Sequence, residues 1–204
     1  MKLVGMLDSP YVRRTAVSLR AQNIPFEHLP LSTFASFDAF AAINPVVKAP
    51  SFVTDEGIVL MDSSLILEYG ERLAAPSLKL APQDMETHAR AQRIIGLALA
   101  ACEKTVQIVY EHNLRPPEKW HQPWLDRVRS QLVAAYGLLE QEVRRADPWL
   151  FGERPLQADI TSAVAFRFTR EKLPQAISAE DHAALAALSA RAEATEPFCA
   201  FPFV

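Results

Sequence analysis

Lys2-Leu3-Val4-Gly5-Met6-Leu7-Asp8-Ser9-Pro10-Tyr11-Val12 is the stretch on which the reading of this chain turns. Lys2 to Met6 form a short apolar run of strand length, and Asp8-Ser9-Pro10-Tyr11 breaks it. From Val12 onward a helical pattern takes over. Proline is well tolerated in the first turn of a helix, because its missing N–H would have no intrahelical partner there. Ser9 is therefore expected just outside a helix N-terminus, where free backbone N–H groups and the helix dipole favour negative charge. Two readings are open at this point. Ser9 is an N-cap followed by proline at N1, worth about 1 kcal/mol of helix stability, or its hydroxyl donates a hydrogen bond to a bound anion.

Outward from this stretch, strand and helix patterns alternate. The spacing predicts a helix over Tyr11–Asn23, a strand over Phe26–Leu31 and a short helix around Ser36–Ala42. Ser51–Thr54 and Ile58–Leu60 read as strands joined through the turn signal Asp55-Glu56-Gly57, and a helix follows from Ser63 to about Leu73. This βαβαββα order describes a small α/β layer fold whose first crossover gives parallel strands. After Ala75-Pro76-Ser77 and Ala81-Pro82 the texture is helical throughout. Asp84 can cap a long helix to about Asn113, Pro123 to Arg145 supplies a second, and Gln157–Lys172 and Ala179–Ala194 two more, with Pro174 and Pro197 as boundaries. The expected organisation is an α/β domain over 1–75 and an all-α domain over 84–204, joined by a short proline-bearing linker.

Composition narrows the function classes. Half of the 204 residues are apolar, enough for a substantial core, and the formal net charge is only −3. Acidic and basic residues are mixed along the chain, so no basic stripe points to nucleic acid. No apolar run has the length of a membrane span, and the chain enters a strand at once without a leader pattern. Cys102 and Cys199 cannot build a disulfide framework and are not spaced as metal ligands, and the five histidines add no ligand spacing. A cytoplasmic protein without membrane, nucleic acid or metal is the expectation.

Two further short stretches matter. Asn44-Pro45-Val46-Val47-Lys48-Ala49-Pro50 immediately precedes the strand at Ser51. A trans edge-strand proline is the default reading of Pro50. A cis bond, found in about 5–6% of X–Pro cases, would leave the N–H and C=O of Ala49 exposed to an extended ligand backbone. Met61-Asp62-Ser63-Ser64 opens the next helix, where Asp62 or Ser63 can simply be a cap. Alternatively, Ser63 and the free N–H groups bind a carboxylate while Asp62 takes an ammonium group, a pairing that suits an α-amino acid.

Taken together, Ser9-Pro10 after the first strand, Lys48-Ala49-Pro50 before the third, Asp62-Ser63 at the following helix start and an all-helical second half resemble the cytosolic glutathione transferase family, with a serine-type active site. The resemblance covers nearly the whole chain and implies a thioredoxin-like N-terminal domain followed by a helical bundle. Gly152-Glu153-Arg154-Pro155-Leu156-Gln157-Ala158-Asp159-Ile160 resembles the family's loop into a buried helix with Asp at N3. Leu156 stands where the family has a Ser or Thr, so the reciprocal hydroxyl of the capping box is missing. Asp159 is expected to bond loop N–H groups in a structural role, its cap weakened by roughly 0.5–2 kcal/mol.

The resemblance also implies the ligand, glutathione as co-substrate. Asp62 and Ser63 would hold its γ-glutamyl end, the Ala49 backbone would pair with its cysteinyl residue beside a cis Pro50, and Lys48 would attract its glycyl carboxylate. Ser9 would be the catalytic group, donating to the sulfur, with Tyr11 next in line as a donor or as a wall residue. Serine rather than cysteine at this station, with no cysteine before Cys102, argues against disulfide chemistry in this domain. The electrophile would lie between the domains, walled by Tyr11, Phe34, Val106, Val109 and Tyr110, with Cys102 a small buried hydrophobe. Conjugation of small electrophiles is the leading activity, with glutathione-dependent peroxide reduction open. A glutathione-dependent isomerase or dehalogenase, or a non-catalytic binding protein on the same fold, is the alternative. A homodimer is expected from the family.

Overall fold

The computed structural model describes residues 1–204. Its first half contains β1 (Lys2–Val4), α1 (Pro10–Ala21), β2 (Glu27–Leu29), α2 (Phe37–Ala41), β3 (Ser51–Val53), β4 (Val59–Met61) and α3 (Ser63–Leu73). The strands form one sheet in the order β2-β1-β3-β4, with β1 and β2 parallel and the two other pairings antiparallel. This is the thioredoxin-like arrangement. β1 is shorter than its apolar run because Gly5 turns away at φ 140°, its N–H bonding Leu29 O at 3.0 Å.

Leu3, Phe52 and Leu60 stand opposite one another across three strands, and Leu3 and Phe52 are fully buried. Val12, Ala16 and Leu19 of α1 and Ile66 of α3 complete this core. The sheet residues alternate in facing and the helix residues recur every three to four positions, so each element offers one apolar face to the same space. α1 and α3 meet closely at Gly70. A Cβ there would lie 2.9 Å from Leu19 Cδ2, so a larger residue would push the helices apart.

The helical half contains α4 (Met85–Leu114), α5 (Gln122–Val143), α6 (Gln157–Lys172) and α7 (Ala183–Glu193). Asp84 caps α4 as expected, accepting the Thr87 N–H at 2.8 Å. α6 is enclosed by its neighbours, and ten of its residues from Ala158 to Phe168 and Thr169 beyond are buried. Cys102 is buried too, and the two cysteines form no disulfide. α7 starts four residues later than its periodicity suggests, because Ser178 and Asp181 close a turn through the Ser178 hydroxyl. No helix is long and apolar enough to cross a membrane.

The chain divides into two compact units, and the division differs from the expected 1–75 and 84–204. One unit is Met1–Ala81 together with Ala194–Val204, and the other is Pro82–Glu193. Pro197 does not end a helix but sits in the first turn of α8 (Glu196–Ala200), which packs on α1. Phe198 is buried beneath the Arg13 guanidinium, 5.3 Å from its ring centre, and Arg13 Nε donates to Phe201 O at 2.9 Å. Phe201 then stacks on Phe26 at 5.4 Å. The last eleven residues therefore belong to the thioredoxin-like unit.

Candidate functional site

Sheet register gathers the three stretches singled out in the sequence. Val4 pairs with Ser51 and Ser51 with Met61, so the last residue of β1, the first of β3 and the last of β4 lie side by side. The segments that continue from them are residues 5–9, Ala49-Pro50 and Asp62-Ser63. All three therefore emerge at one end of the sheet. Gly5 confirms the closeness of the first two, since a Cβ there would come within 3.3 Å of Ala49 Cβ and 2.5 Å of Val12 Cγ2.

Ser9 is the N-cap of α1, and its Oγ accepts the Val12 N–H at 3.4 Å. The cap reading is thus realised, but only through an oxygen lone pair. The hydroxyl proton remains available to donate, at the positive end of the α1 dipole. Tyr11 is half-buried in the first turn of α1.

The Ala49–Pro50 peptide bond is cis. None of the turn and loop hydrogen bonds uses the Ala49 N–H or C=O. The loop before it is tied from beneath by two side chains for which the sequence reading had no role. Buried Asn44 donates from Nδ2 to Ser51 Oγ at 2.8 Å and accepts the Val46 N–H at 3.1 Å. Ser51 Oγ in turn donates to Lys48 O at 2.7 Å. Lys48 itself is exposed.

Asp62 caps α3, with Oδ1 accepting the Ser64 N–H at 2.9 Å. Its backbone sits at φ 73°, and Val47 sits at φ 52°, a rare conformation for a branched side chain. Such backbones cost about 1–3 kcal/mol each and persist where the surroundings impose them. The remaining non-glycine residue of this kind, Asn23, follows the C-cap of α1, where the left-handed conformation is ordinary. Strain is therefore concentrated in the two loops beside Ala49 and Ser63.

Ser63 is buried, and its Oγ accepts from Arg14 Nη1 at 2.9 Å, while Ser64 Oγ accepts from the same nitrogen at 3.3 Å. Arg14 was not among the candidates read from sequence. It is 2% exposed, and it places a guanidinium directly under the N-terminus of α3. A signal existed. Arg13 and Arg14 stand in the first turns of α1, where cations oppose the helix dipole, within a stretch that is otherwise small or apolar. Their presence there needs partners elsewhere, which are the C-terminal segment for Arg13 and α3 for Arg14.

The remaining candidates are not part of this cluster of loops. Phe34 follows β2, in a turn closed by Ser32 Oγ, and is 60% exposed. Val106 and Val109 are half-buried and Tyr110 is 46% exposed, all on α4 of the helical unit. Asp159 fulfils its expected structural role, accepting the Leu150 and Leu156 N–H groups at 2.9 Å each. Burial pushes its carboxyl up to about 6 despite these two bonds.

Residues 3–77 match the family model described as the glutathione S-transferase N-terminal domain. An uncharacterized GST-like protein, YibF, of Escherichia coli (strain K12) is 32% identical over 69% of this chain and 68% of its own length. A maleylacetoacetate isomerase of Pseudomonas aeruginosa is 25% identical over 78% of this chain and 77% of its own. The structure is similar to the crystal structure of a glutathione S-transferase from Methylobacterium radiotolerans in complex with glutathione sulfonate. That likeness has a TM-score of 0.91 and 25% identity, over 100% of this chain and 95% of the other. Family model, relative and fold agree, and the chain belongs to the glutathione S-transferase family.

Proposed function

We propose that this protein binds glutathione at the sheet end formed by residues 5–9, Ala49-Pro50 and Asp62-Ser63, and conjugates its thiolate to small electrophiles. The observation that carries the reading is the shared exit of these three segments from adjacent strands. The complex of a family member with glutathione sulfonate supports the same ligand class.

In this reading each ligand group meets complementary chemistry. Asp62 takes the γ-glutamyl ammonium, while Ser63 and the α3 N-terminus, with Arg14 beneath, take its carboxylate. The Ala49 N–H and C=O pair with the cysteinyl residue, and Lys48 faces the glycyl carboxylate. Ser9 donates its proton to the sulfur. A free thiol has a pKa of about 8.5, and a helix N-terminus with a hydrogen-bond donor lowers it. The Val12 N–H, by bonding the Ser9 oxygen, polarises the hydroxyl toward donation. Ser9 does not ionise. It stabilises the thiolate that attacks an electrophile held beside it, so catalysis rests on thiolate activation and proximity. Tyr11 and Phe34 are proposed to contact that electrophile. On the family resemblance, the protein is also proposed to work as a homodimer.

A second reading, a glutathione-dependent isomerase, is favoured by the similarity to the maleylacetoacetate isomerase and would use the same glutathione-binding groups. Calorimetric titration with glutathione tests what both readings share, and saturable binding is expected. Absence of binding at millimolar glutathione overturns both. A panel of alkylating electrophiles, hydroperoxides and cis-enone acids then separates conjugation from peroxide reduction and isomerisation.

A further inference from the structure

We infer that His28 is a positioning residue that acts through Ser9: by holding the Gly5 carbonyl, it fixes the turn that presents the Ser9 hydroxyl. The inference rests on the proposed reading of Ser9 as donor to a bound thiolate. It gives β2, an edge strand of the sheet, a part in that chemistry.

Gly5 is the first residue beyond β1, and β2 holds both of its backbone groups. Its N–H donates to Leu29 O at 3.0 Å, and its carbonyl oxygen lies 2.8 Å from His28 Nε2. A carbonyl can only accept, so Nε2 carries the proton and donates it. The chain then makes one tight turn, closed by the Ser9 N–H on Met6 O at 3.2 Å, and Ser9 opens α1. Because the peptide unit is planar, holding the Gly5 carbonyl fixes the Gly5–Met6 plane and with it the entry of the turn. Gly5 has no side chain to anchor it, and its φ of 140° with Val12 close by leaves no room for one. At the other end of the turn the cap bond of Ser9 is long, at 3.4 Å. The entry therefore carries much of the placement of the hydroxyl.

The imidazole is held in turn. Phe26 and His28, two residues apart, both meet Phe201, the first by stacking at 5.4 Å and the second edge-on at 6.2 Å. Arg13 Nε fixes the backbone of that residue by donating to Phe201 O at 2.9 Å. His28 is half-buried and stands outside the fully apolar cluster of Leu3, Val12, Ala16, Leu19, Ile24, Phe52 and Ile66. A donor already immobilised by its surroundings loses little freedom when it holds the turn for a ligand.

Ultraviolet titration of the glutathione thiol bound to the intact chain and its variants, with calorimetric glutathione affinities beside it, tests the inference. His28→Leu keeps bulk but has no donor. It is expected to move the bound thiol's titration up by about half a pH unit or more, with the glutathione Kd changed by about threefold or less. His28→Gln, which regains an N–H, should return the titration to within about 0.2 pH unit of the natural chain. In a Ser9→Ala background, His28→Leu should add no more than about 0.2 pH unit, because groups that act as one unit are not additive. Should His28→Leu not fold, His28→Ala takes its place with the same expected shift. An unchanged titration, equal shifts in the Leu and Gln variants, full additivity with Ser9→Ala, or a Kd weakened by more than about threefold overturns the inference while the glutathione site stands. If the natural chain does not bind glutathione, the site reading falls and this inference with it. If Ser9→Ala leaves the thiol titration unchanged, the role of Ser9 falls and this inference with it, but not the binding site.

Discussion

Ser9 and Arg14 sit five residues apart at the start of one helix and work through opposite partners. Ser9 caps the helix at the sheet end, its oxygen engaged by the Val12 N–H and its proton left to give. Arg14 points inward and reaches across to Ser63. On the proposed reading, replacing Ser9 by Ala removes a donor to the sulfur but leaves the helix dipole and backbone N–H groups in place. The bound thiol should therefore titrate at higher pH, and conjugation should fall by roughly tenfold or more. Ultraviolet titration of the bound thiolate, alongside initial rates with one electrophile, checks both. An unchanged thiol titration would remove Ser9 from the mechanism. The cap bond is long at 3.4 Å, so the cost in stability should lie near the low end of about 0.5–2 kcal/mol. Ser9 was legible from sequence because Ser-Pro after a strand is a local pattern. Arg14 was not, because its meaning depends on a helix start about fifty residues away.

At the scale of elements, the caps divide in the same way. Asp62 and Asp84 bond N–H groups two and three residues ahead, and both were open to reading from neighbouring residues alone. Glu140 could not be read so. It is buried on α5 and accepts the Ala184 and Leu185 N–H groups at the start of α7, forty-odd residues on. Asn44 and Ser51, which tie the loop carrying Lys48 and Ala49, likewise gain their role only once β3 is in place. Asp159 combines both kinds, bonding Leu156 locally and Leu150 across the loop. Its carboxyl is raised from 3.8 to about 6 because burial penalises the charge more than the N–H groups compensate it. The sign follows from linkage. A folded-state value above the unfolded one contributes stability that is full below the unfolded value and is lost as pH rises through the folded one. Asp159→Asn removes that dependence and leaves one of the two N–H groups poorly paired, at a cost of about 1–3 kcal/mol. The stability advantage of the natural protein over this variant should therefore shrink by about 2 kcal/mol between about pH 4.5 and about pH 7. Urea unfolding of both proteins at the two pH values measures it, and a constant gap would mean that Asp159 keeps an ordinary carboxyl.

For the whole molecule, topology accounts for what composition could not. One parallel and two antiparallel pairings bring the end of β1, the start of β3 and the end of β4 together, so that segments some fifty residues apart leave the sheet at one end. The βαβ crossover and the hairpin are legible in sequence, whereas the β1–β3 pairing that joins them comes only with the thioredoxin-like fold that the resemblance implies. The path of the C-terminus does not follow. Helical texture continues to Ala200, and nothing in composition marks the point at Ala194 where the chain rejoins the first unit. The contacts of Phe198 and Phe201 with Arg13, Phe26 and His28, and the pairing of Glu196 with Arg20, define it. The tail should then stabilise α1, the helix that carries both Ser9 and Arg14. Phe198 is 1% exposed, and Phe198→Ala should cost about 3–5 kcal/mol, leaving the Arg13 guanidinium without its aromatic cover. Phe198→Leu, which refills most of the volume, should cost less. Native-state hydrogen exchange locates the effect. Amides of α1 should lose protection in Phe198→Ala, whereas those of α6, in the other unit, should change less. Equal loss in both helices would mean that the two units unfold as one. Unchanged protection in α1 would mean that the tail is not part of the unit on which it packs.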